Sequence, residues 1–125
     1  MLNLVKKIGT WVSNQIISTE TYGIEPFSHE LKIQIQYSSH MNSHALQILN
    51  DETTSMEYVV ALFQIKFGLS RADAFQKMQE IHENGKVEVL VHSESVVSEA
   101  AKAIESEASG KGIGLKCKIV EFKAL

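Results

Sequence analysis

Apolar residues recur along this chain with two different periods, and the change from one to the other marks its elements. Leu2, Leu4, Val5, Ile8, Trp11, Val12 and Ile16 follow helical spacing, which predicts an amphipathic helix over 2–17. Such a stripe either docks to a partner or covers the protein's own sheet. Its two cations, Lys6 and Lys7, are few for a helix that lies on a membrane surface. Further on, Leu31, Ile33, Ile35 and Tyr37 alternate with Lys32, Gln34 and Gln36, a period of two that predicts a half-buried strand over 30–37. Ser38 to Ser43 reads as loop, and Ala45 to Leu49 as a second strand ending at Asn50-Asp51.

From Thr54 the pattern turns helical. Thr54-Ser-Met-Glu57 has the form of a capping box, in which the Thr54 hydroxyl accepts from the Glu57 amide and the Glu57 carboxylate reaches back. A helix over about 55–67 follows, broadly apolar through Val59, Leu62, Phe63, Ile65 and Phe67, and Gly68 ends it. Ser70 caps a second helix over about 71–83 with Ala74, Phe75, Met78 and Ile81 on one face, stopped at Asn84-Gly85. Lys86 to His92 reads as a strand with Val87, Val89 and Val91 on one side. Ser93 caps a third helix over about 94–108, whose Val96, Val97, Ala100, Ala101 and Ile104 point inward. Gly110 to Gly114 makes a flexible turn, and Leu115 to Phe122 the last strand. After residue 44 the order is strand, helix, helix, strand, helix, strand. That order predicts an α+β two-layer domain over 44–125, a small antiparallel sheet with three helices packed on one face. Residues 1–43 form an N-terminal extension holding the amphipathic helix and the possible extra strand.

Composition narrows the function. The 125 residues carry 12 Lys and Arg against 15 Asp and Glu, a net charge of −3, all of it after residue 50. A mildly acidic chain has no general electrostatic reason to bind nucleic acid, whose phosphates call for a basic face. The single Cys117 excludes an internal disulfide and a cysteine-based zinc site, and reads as a buried apolar position. No window approaches the ~18–20 consecutive apolar residues of a bilayer span, and the apolar N-terminal run is broken by Lys6 and Lys7. The expectation is a cytoplasmic protein that uses no membrane.

Catalysis has little support in the residues. Asp51 and His82 could pair as acid and base, but no Ser or Cys accompanies them in a nucleophile setting. His29, His40, His44 and His92 lack a helical metal-ligand spacing, and Gly110-Lys-Gly-Ile-Gly114 lacks the length and terminal Lys-Ser/Thr of a phosphate loop. No catalytic residue, metal or cofactor is expected.

One combination of fragments is specific through its order and separations. Asn50-Asp51 follows a strand; Thr54 and Met56-Glu57-Tyr58-Val59-Val60 follow it; then come Met78-Gln-Glu-Ile81-His82-Glu-Asn-Gly85-Lys86 and Leu115-Lys116-Cys117. Over about 45–122 the chain resembles the Clp protease adaptor family of the ClpS type. Glu52 stands where that family usually has a second Asp, Ser55 where it usually has Pro, and Ser95-Val96-Val97-Ser98-Glu99-Ala100 where it carries Glu-Val-Ala-Glu-Thr-Lys.

The resemblance implies a non-enzymatic adaptor. Such a protein binds N-degrons, proteins whose first residue is Leu, Phe, Tyr or Trp, and hands them to a ClpA-like AAA+ unfoldase. It also implies that Asn50, Asp51 and His82 hold the free α-amino group while Thr54, Met56, Val59, Met78, Ile81 and Leu115 line a side-chain pocket. The residue chemistry suits that task. An α-ammonium brings three donors and a positive charge; a carboxamide oxygen, a carboxylate and a neutral imidazole offer acceptors. Methionines adapt to aromatic rings, whereas Val59 and Ile81 are stiffer walls. Two other readings share the shape: a diverged N-terminus-binding module or Clp regulator with another partner, and a structural interaction domain without a peptide pocket.

Overall fold

The computed structural model describes residues 21–37 and 42–123, so the helix expected over 2–17 lies outside the described residues. Its elements are α1 (His29–Gln36), β1 (His44–Leu49), α2 (Met56–Phe67), α3 (Arg71–Asn84), β2 (Lys86–His92), α4 (Glu94–Gly110) and β3 (Cys117–Glu121). The three strands form one antiparallel sheet in the order β2-β1-β3, with β1 in the middle. α3 and α4 pack against the sheet, α2 against α3, and α1 against α4. This is the α+β architecture that the element order predicts.

The core lies between helices and sheet. Leu46 and Ile48 of β1, Val60, Leu62 and Phe63 of α2, and Val97, Ala100 and Ile104 of α4 are all fully buried. Each large side chain among them contributes ~1.5–3 kcal/mol through loss of apolar surface to water. Three serines start the three helices of the layer: Ser55, Ser70 and Ser93 each accept from the backbone N–H three residues on. Gly68 and Gly85 end α2 and α3 in the left-handed conformation, at φ of 65° and 83°.

Several local expectations are corrected. The strand expected over 30–37 is instead the helix α1, capped at its start by Ser28, whose hydroxyl accepts from the Leu31 N–H at 3.1 Å, and at its end by Tyr37. Both periods fit Leu31 and Ile35, which are four apart. The helix turns Ile33 and Tyr37 outward, 40% and 74% exposed, and leaves Leu31 to join Ile24 and Phe27 in the core. Tertiary burial decides between the two.

The cap of α2 is Ser55 rather than Thr54: its hydroxyl accepts from the Tyr58 N–H at 3.1 Å. The Thr54 hydroxyl instead donates to the Asp51 carboxylate at 2.6 Å, a charge-assisted bond stronger than a neutral cap. Between β1 and β2 the register slips at Leu46 and Gln47, so that Leu46 faces Leu90 while Ile48 faces Val87. Val89 is the extra residue of this bulge. It shifts the phase of alternation, so Val87 and His92, not Val87, Val89 and Val91, are the buried residues of the strand. The last strand begins at Cys117, which leaves buried Leu115 in the connection before it.

Outside the site, one buried polar contact ties the segment before β1 to the helices. Lys66 of α2 pairs with Glu107 of α4 at 3.3 Å, and the Glu25 backbone N–H donates to the same carboxylate at 3.0 Å. The Lys66 ammonium lies 5.1 Å from the centre of the Phe27 ring, and that ring meets Phe67 edge-on at 5.4 Å. Burial pushes the Lys66 pKa down and the Glu107 carboxylate opposes that shift.

Candidate functional site

The C-terminal end of β1 is held on both sides. Leu49 N–H donates to the Lys116 carbonyl at 3.0 Å, and Asn50 N–H donates to the Gly85 carbonyl at 2.8 Å. Gly85 is also the residue that closes α3, its own N–H bonded to the Ile81 carbonyl. One glycine therefore fastens the helix end carrying Ile81 and His82 to the strand end carrying Asn50 and Asp51. The Lys116 contact does the same for Leu115. Met56 and Val59 arrive on the first turn of α2, whose start is fixed by Ser55.

These three junctions surround a recess of about 120 Å³. All nine residues singled out in the sequence line it: Asn50, Asp51, Thr54, Met56, Val59, Met78, Ile81, His82 and Leu115. Sequence reasoning passes over two further lining residues, Leu49 and Glu52. Leu49 reads as the end of the second strand, and Glu52 stands where the family usually has a second Asp but is not assigned to the site. The signal that could have found them is position alone, immediately flanking Asn50-Asp51.

Depth and rim differ in chemistry. Val59, Met78, Ile81 and Leu115 are buried, while Asn50, Glu52 and His82 are exposed. The Asn50 amide nitrogen donates to Glu52 at 3.1 Å. A carboxylate only accepts, so this bond orients the carboxamide and leaves its oxygen as a free acceptor. Asp51 takes the hydroxyls of Thr53 and Thr54 on a single oxygen, Oδ2, at 2.7 and 2.6 Å. The Thr54 bond, then the Thr53 bond, holds its carboxyl below the usual carboxylate range, so Asp51 is charged at neutral pH. Gly114 runs close against it: a Cβ there would sit 3.4 Å from Oδ2.

A greasy pit with a fixed anion, an oriented carboxamide and an exposed imidazole at its rim suits a small amphipathic cation. Among the described residues, no group of three or more His, Cys, Asp or Glu is placed to hold a metal ion. No helix among them is long and apolar enough to cross a membrane. Burial and the nearby Glu105 push the Cys117 thiol up to about 12, so it stays protonated and unreactive.

Comparison with known proteins identifies the family. Residues 39–118 match the family model of the ATP-dependent Clp protease adaptor protein ClpS. The ClpS adapter of Paracidovorax citrulli is 36% identical over 70 residues, covering 56% of this chain and 57% of that protein. The ClpS adapter of Paraburkholderia xenovorans is 31% identical over 74 residues, covering 59% of this chain and 71% of that one. The chain thus spans little more than half the length of the first of these relatives. Among solved structures, Agrobacterium tumefaciens ClpS2 bound to L-phenylalaninamide has the same fold, with a TM-score of 0.61 and 21% identity over 64% of this chain and 96% of that one. By the family model, which matches well over half of its length, this chain belongs to the ClpS family of Clp protease adaptor proteins.

Proposed function

We propose that this chain is an N-degron adaptor: it binds the free α-amino group and bulky apolar first residue of a protein and passes that protein to a ClpA-like AAA+ unfoldase. The observation that carries the reading is the convergence of the nine residues on one recess with an apolar floor and an acceptor-rich rim. An apolar cavity of about 150 Å³ accommodates a benzene ring. The recess is of that order, and Met56 and Met78 can adjust its width. Burying a Leu or Phe side chain there contributes ~1.5–3 kcal/mol.

Selectivity for a chain end comes from the rim. The ammonium meets the Asn50 oxygen, the Asp51 charge and one nitrogen of a neutral His82. An internal peptide N–H, or an acetylated terminus, brings one donor and no charge, and each acceptor left unpaired costs ~1–3 kcal/mol. The relative whose structure holds L-phenylalaninamide, a free amine beside an aromatic side chain, supports the same chemistry here. The test is an array of peptides varying in first residue, each free and N-acetylated. Free Phe, Leu, Tyr and Trp peptides are expected to bind, with acetylation weakening them by about thirtyfold or more. Equal affinity of free and acetylated forms refutes the ammonium clamp. Co-purification with the host's Clp unfoldase tests the delivery step.

A further inference from the structure

The two faces of the sheet are not alike. Leu46 and Ile48 of β1, with Val87 across from Ile48, belong to the core beneath the helices. Alternation along the strand turns Ala45 and Gln47 to the opposite face. Ala45 pairs with Val91 of β2 on one side and Val120 of β3 on the other, and none of the three belongs to that core. Ala45 is nonetheless fully buried, with the two valines half-buried beside it. The Gln47 side-chain oxygen, next along the same row, is shut off from water without a hydrogen-bond partner. A reverse face open to solvent would leave both groups in contact with water.

We infer that residues 2–17 cover this reverse face as a helix, laying their apolar stripe across Val91, Ala45 and Val120. The sizes agree. A helix over 2–17 is about 24 Å long and about 10 Å across. The six residues of β1 extend about 20 Å, and three strands span about 10 Å. One helix therefore covers the row from end to end. The chain also sets out from the right side of the molecule. Gly23 lies against the Lys111 side chain just past α4, and the Glu25 N–H donates to Glu107 of that helix. α4 packs beneath β3, which is an edge strand. Ser18 to Glu20 bridge about 13 Å when extended, enough to pass round that edge between layers about 10 Å apart. Leu4, Val5, Ile8, Trp11, Val12 and Ile16 supply the apolar partners that the valines and Ala45 lack. So short a tether holds the segment at a high effective concentration, which favours it over a second copy of the chain.

The experiment follows the fluorescence of Trp11, the only tryptophan, in the full chain, alongside nuclear Overhauser contacts between methyl groups. The expected emission is blue-shifted, unchanged on dilution, and quenched by acrylamide several-fold less readily than free N-acetyltryptophanamide. Contacts are expected from Ile8, Trp11 or Val12 to the methyls of Ala45, Val91 or Val120. Val120→Asp should red-shift the emission and raise quenching towards the free value. Val12→Asp, on the segment itself, should do the same without touching the sheet, and should leave the methyl signals of Leu46 and Ile48 in place. Free quenching in the unaltered chain, or protection that both variants leave intact, overturns the inference. Protection that vanishes on dilution assigns the face to a second copy. Protection gained only on adding anionic lipid vesicles assigns the stripe to a membrane surface. Either of these overturns it as well.

Discussion

Carboxylates at two places in this molecule have opposite fates. At the rear, Glu107 is enclosed by Lys66, the Glu25 backbone and Tyr58, whose phenol pKa is raised by burial and then by the Glu107 charge. At the mouth of the recess, Asp51 and Glu52 are tied down by short side chains from their own loop. The residue type is shared; what differs is who supplies the partners and how much water remains. A carboxylate paired inside the protein is committed to holding elements together. One oriented by threonines at the surface keeps an oxygen for something that arrives later. If the proposed function holds, the rear group serves folding and the front group binding, so substitutions at Glu107 and at His82 should each affect one and spare the other.

The largest effect is expected at the rear. Glu107→Ala leaves the Lys66 ammonium buried without its counter-ion, and should lower stability by about 3 kcal/mol in denaturant unfolding. Replacing both partners, Lys66→Met with Glu107→Leu, should recover most of that loss, because two apolar groups leave no orphaned charge. If the single and double variants unfold alike, the pair does not anchor the segment before β1. Next comes the imidazole. His82→Ala should weaken a free Phe-initiated peptide about tenfold by loss of one charge-assisted acceptor. Its unfolding midpoint should stay put, since the side chain is exposed. A matching fall in both quantities would move His82 from the binding group to the folding group.

Asp51 straddles the comparison and sharpens it. Its carboxyl titrates below the ordinary value of 3.8 in the folded state, so the stability it contributes is complete above that value and disappears as pH falls through the depressed one. Acid unfolding of Asp51→Asn should therefore lack a component, confined to pH below about 4, that the unaltered chain shows. Identical acid profiles would mean that the Thr53 and Thr54 bonds do no net work on the fold. The smallest effect concerns Cys117. With its pKa near 12, alkylation by iodoacetamide at pH 8 should be slow in the native protein and rapid after unfolding. Fast native labelling would show that β3 opens readily.

Most of the layer was legible because its signals are local. Ser70 and Ser93 before apolar periodic runs, with Gly68 and Gly85 after two of the helices, are encoded within a few residues of one another. The nine recess residues were legible through a resemblance of ordered fragments, not through anything their spacing alone dictates. What escaped reading depends on distant partners. Whether 29–36 is helix or strand turns on Leu31 meeting Ile24, Phe27 and the rest of the core. Whether Thr54 or Ser55 caps α2 turns on Asp51 claiming the threonine first. The bulge at Val89 appears only when β2 is laid against β1. Lys66 and Glu107 are 41 positions apart, and nothing local announces that they meet.

The central place of β1 has a consequence for how long the recess survives thermal opening. Strands at the margins fray first, and an interior strand exchanges its amide protons only in the rarer, larger openings. Asn50 and Asp51 leave from that interior strand, so deuterium uptake at β1 should lag both β2 and β3. Its rim would then be among the last parts of the sheet to come apart.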